Sequence, residues 1–221
     1  MNDNLRKIKQ YLTKQGYFIR DENNMAKTSF ELAMVIMYYA HKDQRRENGE
    51  IYANHPLRVL NNYRKLVNLG SQDFLRGELM KKHGLPSEGV QEVCLLHDVV
   101  EDGCFTFDEV RQMFVDSGFM VDFDLHIGDA LKRITHDKSV SYEEYMNICL
   151  ENPISSIVKM MDLQDNLRVI DLVSLTNERY ERASKYLKWI FVINDKYHFV
   201  EKVNEYLYDF NFFINRPNEH K

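Results

Sequence analysis

Proline and glycine are scarce in this chain, at four and nine among 221 residues. So little punctuation excludes collagen-like and linker-rich architectures and leaves room for long helices. Cysteine is scarcer still. Cys94, Cys104 and Cys149 contain no C-x-x-C pair and leave one thiol over, which argues against a disulfide framework and fits a reducing cytosol. Positive charge is not in excess: 29 Lys and Arg against 34 Asp and Glu give a net charge of −5. That balance provides no electrostatic footprint for nucleic acid or an anionic membrane. No apolar run approaches the ~20 residues that span a bilayer, and the N-terminal MNDNLRKIKQYLTK is charged, without the apolar centre of a signal peptide. The expectation is a soluble cytoplasmic protein with neither a nucleic-acid nor a membrane partner.

What the chain does have is helical periodicity. Apolar residues make up 44% and aromatics 12%, enough for the core of one generous domain. Residues 4–15 and 27–42 read as helices, the second carrying Leu32, Ala33, Val35, Ile36 and Tyr39. The polar RRENGEIY (45–52), with its central glycine, reads as a loop, and Pro56 suits the first turn of the helix that follows. After a break at 84–87, Val90, Val93, Cys94 and His97 recur at helical spacing. Thr106 with Glu109, and Ser141 with Glu144, have the form of capping boxes. A helix is expected over 125–134, another from Pro153 to about Val173, and a last one, rich in aromatics, from about Glu178 to Phe213. No alternating strand pattern stands out. The fold class expected is all-α, a single domain.

Chemistry-bearing residues fall into three inward-facing segments. CLLHDVVED (94–102) sets His97 and three carboxylates into an apolar run. A His-Asp dipeptide alone carries little weight, since the chain has eight histidines and spells it again at His136-Asp137. Here, however, His97 shares a face with Val90, Val93 and Cys94, and a continuing helix would place Glu101 one turn after His97 and Asp102 one turn after Asp98. The plainer alternative is a helix end emerging into solvent. In ISSIVKMMDLQDNLRVIDLV (154–173), Asp162 and Asn166 interrupt the apolar stripe Val158, Val169, Val173, with Asp165 beside them. A buried aspartate needs a metal or a structural ion pair. Asn54-His55-Pro56 supplies another histidine at a loop-to-helix junction, where a capping or core histidine is the competing explanation. Together, two histidines and two aspartates make a mixed N/O donor set suited to Mn²⁺, Fe²⁺ or Zn²⁺.

The segments AHKDQRRENGEIYANHP, LLHDVVEDG and VKMMDLQDNLR resemble, in order, the three signatures of HD-domain metal-dependent phosphohydrolases. The resemblance is to the (p)ppGpp hydrolase domains of the Rel/SpoT type and their small stand-alone versions, and it extends over roughly 28–192. It implies a helical-bundle HD domain over 27–194, an N-terminal helical extension over 1–26 and a C-terminal helical tail over 195–221 packed on the domain. It implies His55, His97, Asp98 and Asp162 as ligands of Mn²⁺ or another divalent transition metal, and Glu101 and Asp102 as the pair that orients or deprotonates the attacking water. Arg46, Asn166, Arg182 and Tyr186 match substrate-pocket positions, with Arg45 and Lys159 as further groups for phosphate. The implied activity is hydrolysis of the 3′-diphosphate of (p)ppGpp. The alternatives are a phosphatase acting on NADPH or another nucleotide, or a non-catalytic nucleotide-binding protein.

The chain also departs from the pattern. Glu47 stands where those hydrolases usually have lysine, Asp165 replaces His or Tyr, and Val169 stands where a threonine often meets the nucleotide. Ile51 replaces proline, and Gly103 replaces threonine after the Glu-Asp pair. The implied ligands are all present, and the departures concentrate around the base pocket.

Overall fold

The computed structural model describes residues 3–15, 26–67, 73–168 and 176–214. The elements in chain order are α1 (Asp3–Lys14), α2 (Ser29–Ala40), α3 (Asn54–Leu66), α4 (Asp73–Lys82), α5 (Val90–Leu96), α6 (Phe107–Asp116) and the single turn α7 (Met120–Asp122). A π-helical turn (Phe123–Ile127) then leads into α8 (Gly128–Ile134), followed by α9 (Tyr142–Cys149), α10 (Pro153–Arg168), α11 (Asn177–Tyr197) and α12 (Phe199–Ile214). Among the described residues there is no strand; the one β-type contact is an isolated antiparallel bridge, Arg45 to Ile51. None of the described helices is long and apolar enough to cross a membrane. The all-helical expectation holds.

The helix starts follow from local chemistry. Thr106 accepts from Glu109 N while the Glu109 carboxylate accepts from Thr106 N, so both halves of that capping box are made. Thr28, Ser141 and Thr176 cap α2, α9 and α11 in the same sense, each accepting a first-turn N–H.

The long α10 is the central element, packed against α3, α5, α8, α9 and α11, while α2 and α3 both lie on α5. Leu32, Ile36 and Met37 of α2, Val59 and Tyr63 of α3, Val90 and Val93 of α5, and Ile157 and Val158 of α10 are buried together. Ser155 and Ser156 enter this core with their hydroxyls satisfied, both donating to Cys149 O at 2.6 and 3.1 Å. All three cysteines are free thiols.

Two expectations need correction. The α-helix of CLLHDVVED stops at Leu96, and residues 97–102 form successive turns. Asp102 N still reaches Asp98 O at 2.9 Å, so the one-turn offset survives outside a regular helix. The reason for the tight exit lies in Gly103, where a Cβ would stand 2.2 Å from Val99 O; only glycine passes there. The aromatic C-terminal helix is two helices, because His198 adopts left-handed φ and ψ of 52° and 41° between α11 and α12. Of its aromatic residues, Tyr206 and Phe210 are buried and Tyr208 is exposed. The last part of the stripe in 154–173, Val169 and Val173, lies outside the described residues.

Candidate metal centre and its anion pocket

His55 enters from the first turn of α3, His97 and Asp98 from the turns after α5, and Asp162 from the middle of α10. Packing of α10 and α5 on α3 brings all four side chains to one point. His55 Nε2 lies 3.3 Å from His97 Nε2, 3.4 Å from Asp98 Oδ2 and 3.1 Å from Asp162 Oδ1. His97 Nε2 lies 3.1 Å from Asp98 Oδ2 and 3.9 Å from Asp162 Oδ1. Within this group the donor atoms of His55, His97 and Asp98 all fall within 4.8 Å of one another.

The donor chemistry fits a divalent ion. Each imidazole has its Nδ1 engaged elsewhere: His97 Nδ1 donates to Cys94 O at 2.9 Å and His55 Nδ1 donates to Asp165 Oδ2 at 2.8 Å. Both Nε2 atoms therefore turn lone pairs toward the same point, alongside two carboxylate oxygens, and such a cluster is stable only around a cation or protons. The electrostatics of the metal-free site agree. Burial pushes the His55 imidazole down, but the Asp162, Asp165 and Asp98 carboxylates override it and hold its pKa well above the usual value. His97 is likewise raised, its burial outweighed by Asp98. Against burial, the imidazoles keep Asp98 well below the carboxylate range, and Lys159 with the imidazoles does the same for Asp162.

Glu101 is half-buried beside this centre. Its Oε2 accepts the backbone N–H of His136 at 3.1 Å. Burial, with the Asp102 and Asp98 charges adding to it, raises the Glu101 pKa despite that hydrogen bond and Lys159. Asp102 is exposed, and its Oδ2 lies 3.0 Å from the Tyr52 hydroxyl, which is also 2.8 Å from Asp98 Oδ2. Burial, then Asp98 and Asp102, raise the Tyr52 pKa, so the phenol stays a neutral donor to this pair of carboxylates. The Tyr52 ring stacks on His41 at 4.7 Å, and His41 in turn holds Gln44 at 2.6 Å, whose amide donates to Asp102 O.

A cavity of about 430 Å³ opens next to the cluster, lined by Arg45, Arg46, Glu47, Asn48, Tyr52, Asn166, Arg179, Arg182 and Tyr186. Four arginines against one carboxylate make it an anion pocket. Asn166 joins it to the centre by donating to Asp162 Oδ1 at 2.7 Å while accepting from Arg46 Nη2 at 2.5 Å. Arg46 is delivered by the 45–52 loop, closed by Arg46 N to Glu50 O at 2.9 Å and Tyr52 N to Gln44 O at 3.0 Å. Lys159 is placed differently from the other expected phosphate groups. It is turned onto Asp162 Oδ2 at 2.9 Å and over the Tyr145 ring at 5.2 Å, so it is a buried counter-charge to a cluster carboxylate rather than a lining residue of the cavity.

No family model matches the chain. Three curated relatives, each a guanosine-3′,5′-bis(diphosphate) 3′-pyrophosphohydrolase MESH1, align with it. The Drosophila melanogaster protein is 27% identical over 158 residues, 68% of this chain and 74% of its own length. The Xenopus tropicalis protein is 28% identical over 158 residues, 67% and 73% of the two chains, and the Homo sapiens protein 27% over 160 residues with the same shares. The chain resembles the HD-type ppGpp hydrolases. A solved structure of a metazoan SpoT ortholog, described as hydrolysing ppGpp and acting in starvation responses, covers 83% of this chain and 96% of its own at a TM-score of 0.54 and 22% identity. That likeness is one of fold.

The structure brings together nearly all the residues singled out in the sequence. His55, His97, Asp98 and Asp162 converge; Glu101 and Asp102 flank them; Arg45, Arg46, Asn166, Arg182 and Tyr186 line the adjoining cavity. Sequence reasoning missed Tyr52, Arg58, Arg179 and the His136 backbone. Asp165, placed beside the site by the sequence, is buried and meets both His55 Nδ1 and the guanidinium groups of Arg46 and Arg58.

Proposed function

We propose that this protein is a divalent-metal-dependent phosphohydrolase of a phosphorylated nucleotide, with the 3′-diphosphate of guanosine 3′,5′-bis(diphosphate) as the bond cleaved. The observation that carries the reading is adjacency: a two-histidine, two-carboxylate cluster shares Tyr52 and Asn166 with an arginine-lined cavity. The activity named for the MESH1 relatives supports the same substrate. His55, His97, Asp98 and Asp162 would hold the ion, with Mn²⁺ favoured by the family resemblance. When bound, it supplies charge that polarises a phosphoryl oxygen and acidifies water.

The chain's own groups do the rest. Arg46, Arg179 and Arg182 bind and orient the phosphates, each guanidinium offering a planar fork to anionic oxygens. Glu101, with its pKa raised and its carboxylate fixed by His136 N–H, takes a proton from the attacking water. Asp102, held by Tyr52, keeps that water in line. Tyr186, on the cavity wall, offers a ring face to the base. Free thiols throughout the described residues support a cytoplasmic setting. A second reading, cleavage of phosphate from NADPH or another nucleotide, is favoured by Glu47, an acid on the cavity wall where the hydrolases it resembles carry lysine.

The test is product analysis of the purified protein with Mn²⁺ against ppGpp, NADPH and a nucleotide panel, with Asp98→Ala as control. Release of intact pyrophosphate from ppGpp, lost in the variant, is the expected result. Turnover of NADPH instead selects the second reading, and no turnover of any phosphate ester sinks both.

A further inference from the structure

The most heavily engaged carboxylate of the centre is one that the ligand set does not use. Asp165 is 1% exposed, and both of its oxygens are occupied. Oδ2 accepts from His55 Nδ1 at 2.8 Å, from Arg58 Nη2 at 3.0 Å and from Arg46 Nη1 at 3.2 Å; Oδ1 accepts from Arg58 Nε at 2.6 Å. Arg58 is anchored on its other side by Glu50.

The arrangement follows from helix geometry. Asp165 comes three residues after Asp162 on α10, and Arg58 three residues after His55 on α3. Residues three apart share a helix face, so packing α10 on α3 superposes two layers: His55 with Asp162 inside, Arg58 with Asp165 one turn out. A purely structural ion pair would be complete with the Arg58 fork alone. Here the same carboxylate also captures the imidazole N–H whose opposite nitrogen faces His97 and Asp162. His97, by contrast, rests on the neutral carbonyl of Cys94.

We propose that Asp165 is a positioning residue for the metal centre: it fixes the tautomer and tilt of His55, and Arg58 is the counter-charge that fixes Asp165. A carboxylate behind a ligating imidazole raises the basicity of that ligand and restricts its ring. Asp165 stands where the hydrolases that the chain resembles have His or Tyr, and an aspartate at that place, buried against α3, requires a cation such as Arg58. The proposal rests on the metal-centre reading above.

Calorimetric titration of the metal-free full chain with Mn²⁺, together with the visible absorption of its Co²⁺ form, tests it in Asp165→Asn, Arg58→Gln and the double variant. Asp165→Asn is expected to weaken Mn²⁺ binding roughly 10–100-fold and to alter the Co²⁺ band. Arg58→Gln should weaken binding less, and the double variant no more than Asp165→Asn alone, since Arg58 acts through Asp165. Asp165→Asn that binds Mn²⁺ like wild type with an unaltered Co²⁺ band overturns the proposal, as does full additivity in the double variant. Should Asp165→Asn fail to fold by circular dichroism, Arg58→Gln decides: weakened binding supports, unchanged binding overturns. Wild-type protein that binds neither ion removes the metal-centre reading itself, whereas wild-type binding with indifferent variants removes this proposal alone.

Discussion

Glu101 and Asp102 are neighbours in sequence with different surroundings. Asp102 is exposed and tied to Tyr52, whereas Glu101 is half-buried, its pKa raised by burial and by the two aspartates beside it. In the proposed mechanism Glu101 is the base and must be deprotonated to act, so its raised pKa should move the acid limb of kcat/KM upward, with activity lost as pH falls through a value above the ordinary 4.5. Glu101→Gln keeps an oxygen for His136 N–H and removes the base. It should lower kcat by roughly 10²–10⁴-fold with Mn²⁺ affinity retained; near-wild-type kcat in this variant would remove Glu101 from the mechanism. At this scale the sequence spoke through side chains. His97 and Asp162 were legible because each sets a titratable group on an apolar helical face, while His55, at a loop-to-helix junction, and Asp98 took their place through the signature motifs that the segments resemble. His136 was not, because it contributes a backbone N–H, to which its own His-Asp spelling is irrelevant. Arg58 looks like any solvated helix charge until Asp165 is placed opposite it.

Helix starts were legible at Thr106 and Ser141, which both accept the first-turn N–H that their spacing implies. The break between α11 and α12 carried no such mark. YHFV has neither glycine nor proline, and His198 turns the chain in a left-handed conformation at φ 52° while its N–H bonds Asn194 O at 2.6 Å. A left-handed residue with a Cβ costs ~1–2 kcal/mol, partly offset in glycine by the ~0.5–1 kcal/mol of extra chain entropy it loses on folding. His198 is exposed, so removing its ring costs little. His198→Gly should therefore raise the unfolding free energy by roughly 0.5–1 kcal/mol, read as a higher urea midpoint at unchanged slope. A lower midpoint would mean that the His198 side chain stabilises the junction. The early end of α5 was hidden for a related reason: Gly103 is needed because of Val99 O, a backbone atom whose position no residue pattern encodes.

Across the whole molecule, the candidate ligands tie α3, the turns after α5 and α10 into one node, so an ion bound there would couple to folding. An ion that binds only the folded chain, at 100 times its dissociation constant, contributes about 2.7 kcal/mol. At ~2–4 °C per kcal/mol for a chain of this size, Mn²⁺ should raise Tm by about 5–10 °C over protein held in chelator. The pH dependence of that gap has a definite sign. In the metal-free protein His55, facing Asp98, Asp162, Asp165 and His97, has a pKa raised well above 6.5. The stability from this shift is fully present below the unfolded value and is lost as pH rises through the folded one. The carboxylates, with depressed values, contribute stability that fails only when pH falls below the ordinary 3.8, outside this window. The ion needs neutral imidazole and gains affinity as pH rises. Metal-free protein should thus weaken between pH 6 and 8.5 while Mn²⁺-loaded protein does not, and the Tm gap should widen. Thermal scans of both forms across that range measure it directly; a gap that narrows with rising pH would mean that protons and the ion do not compete for His55 and His97.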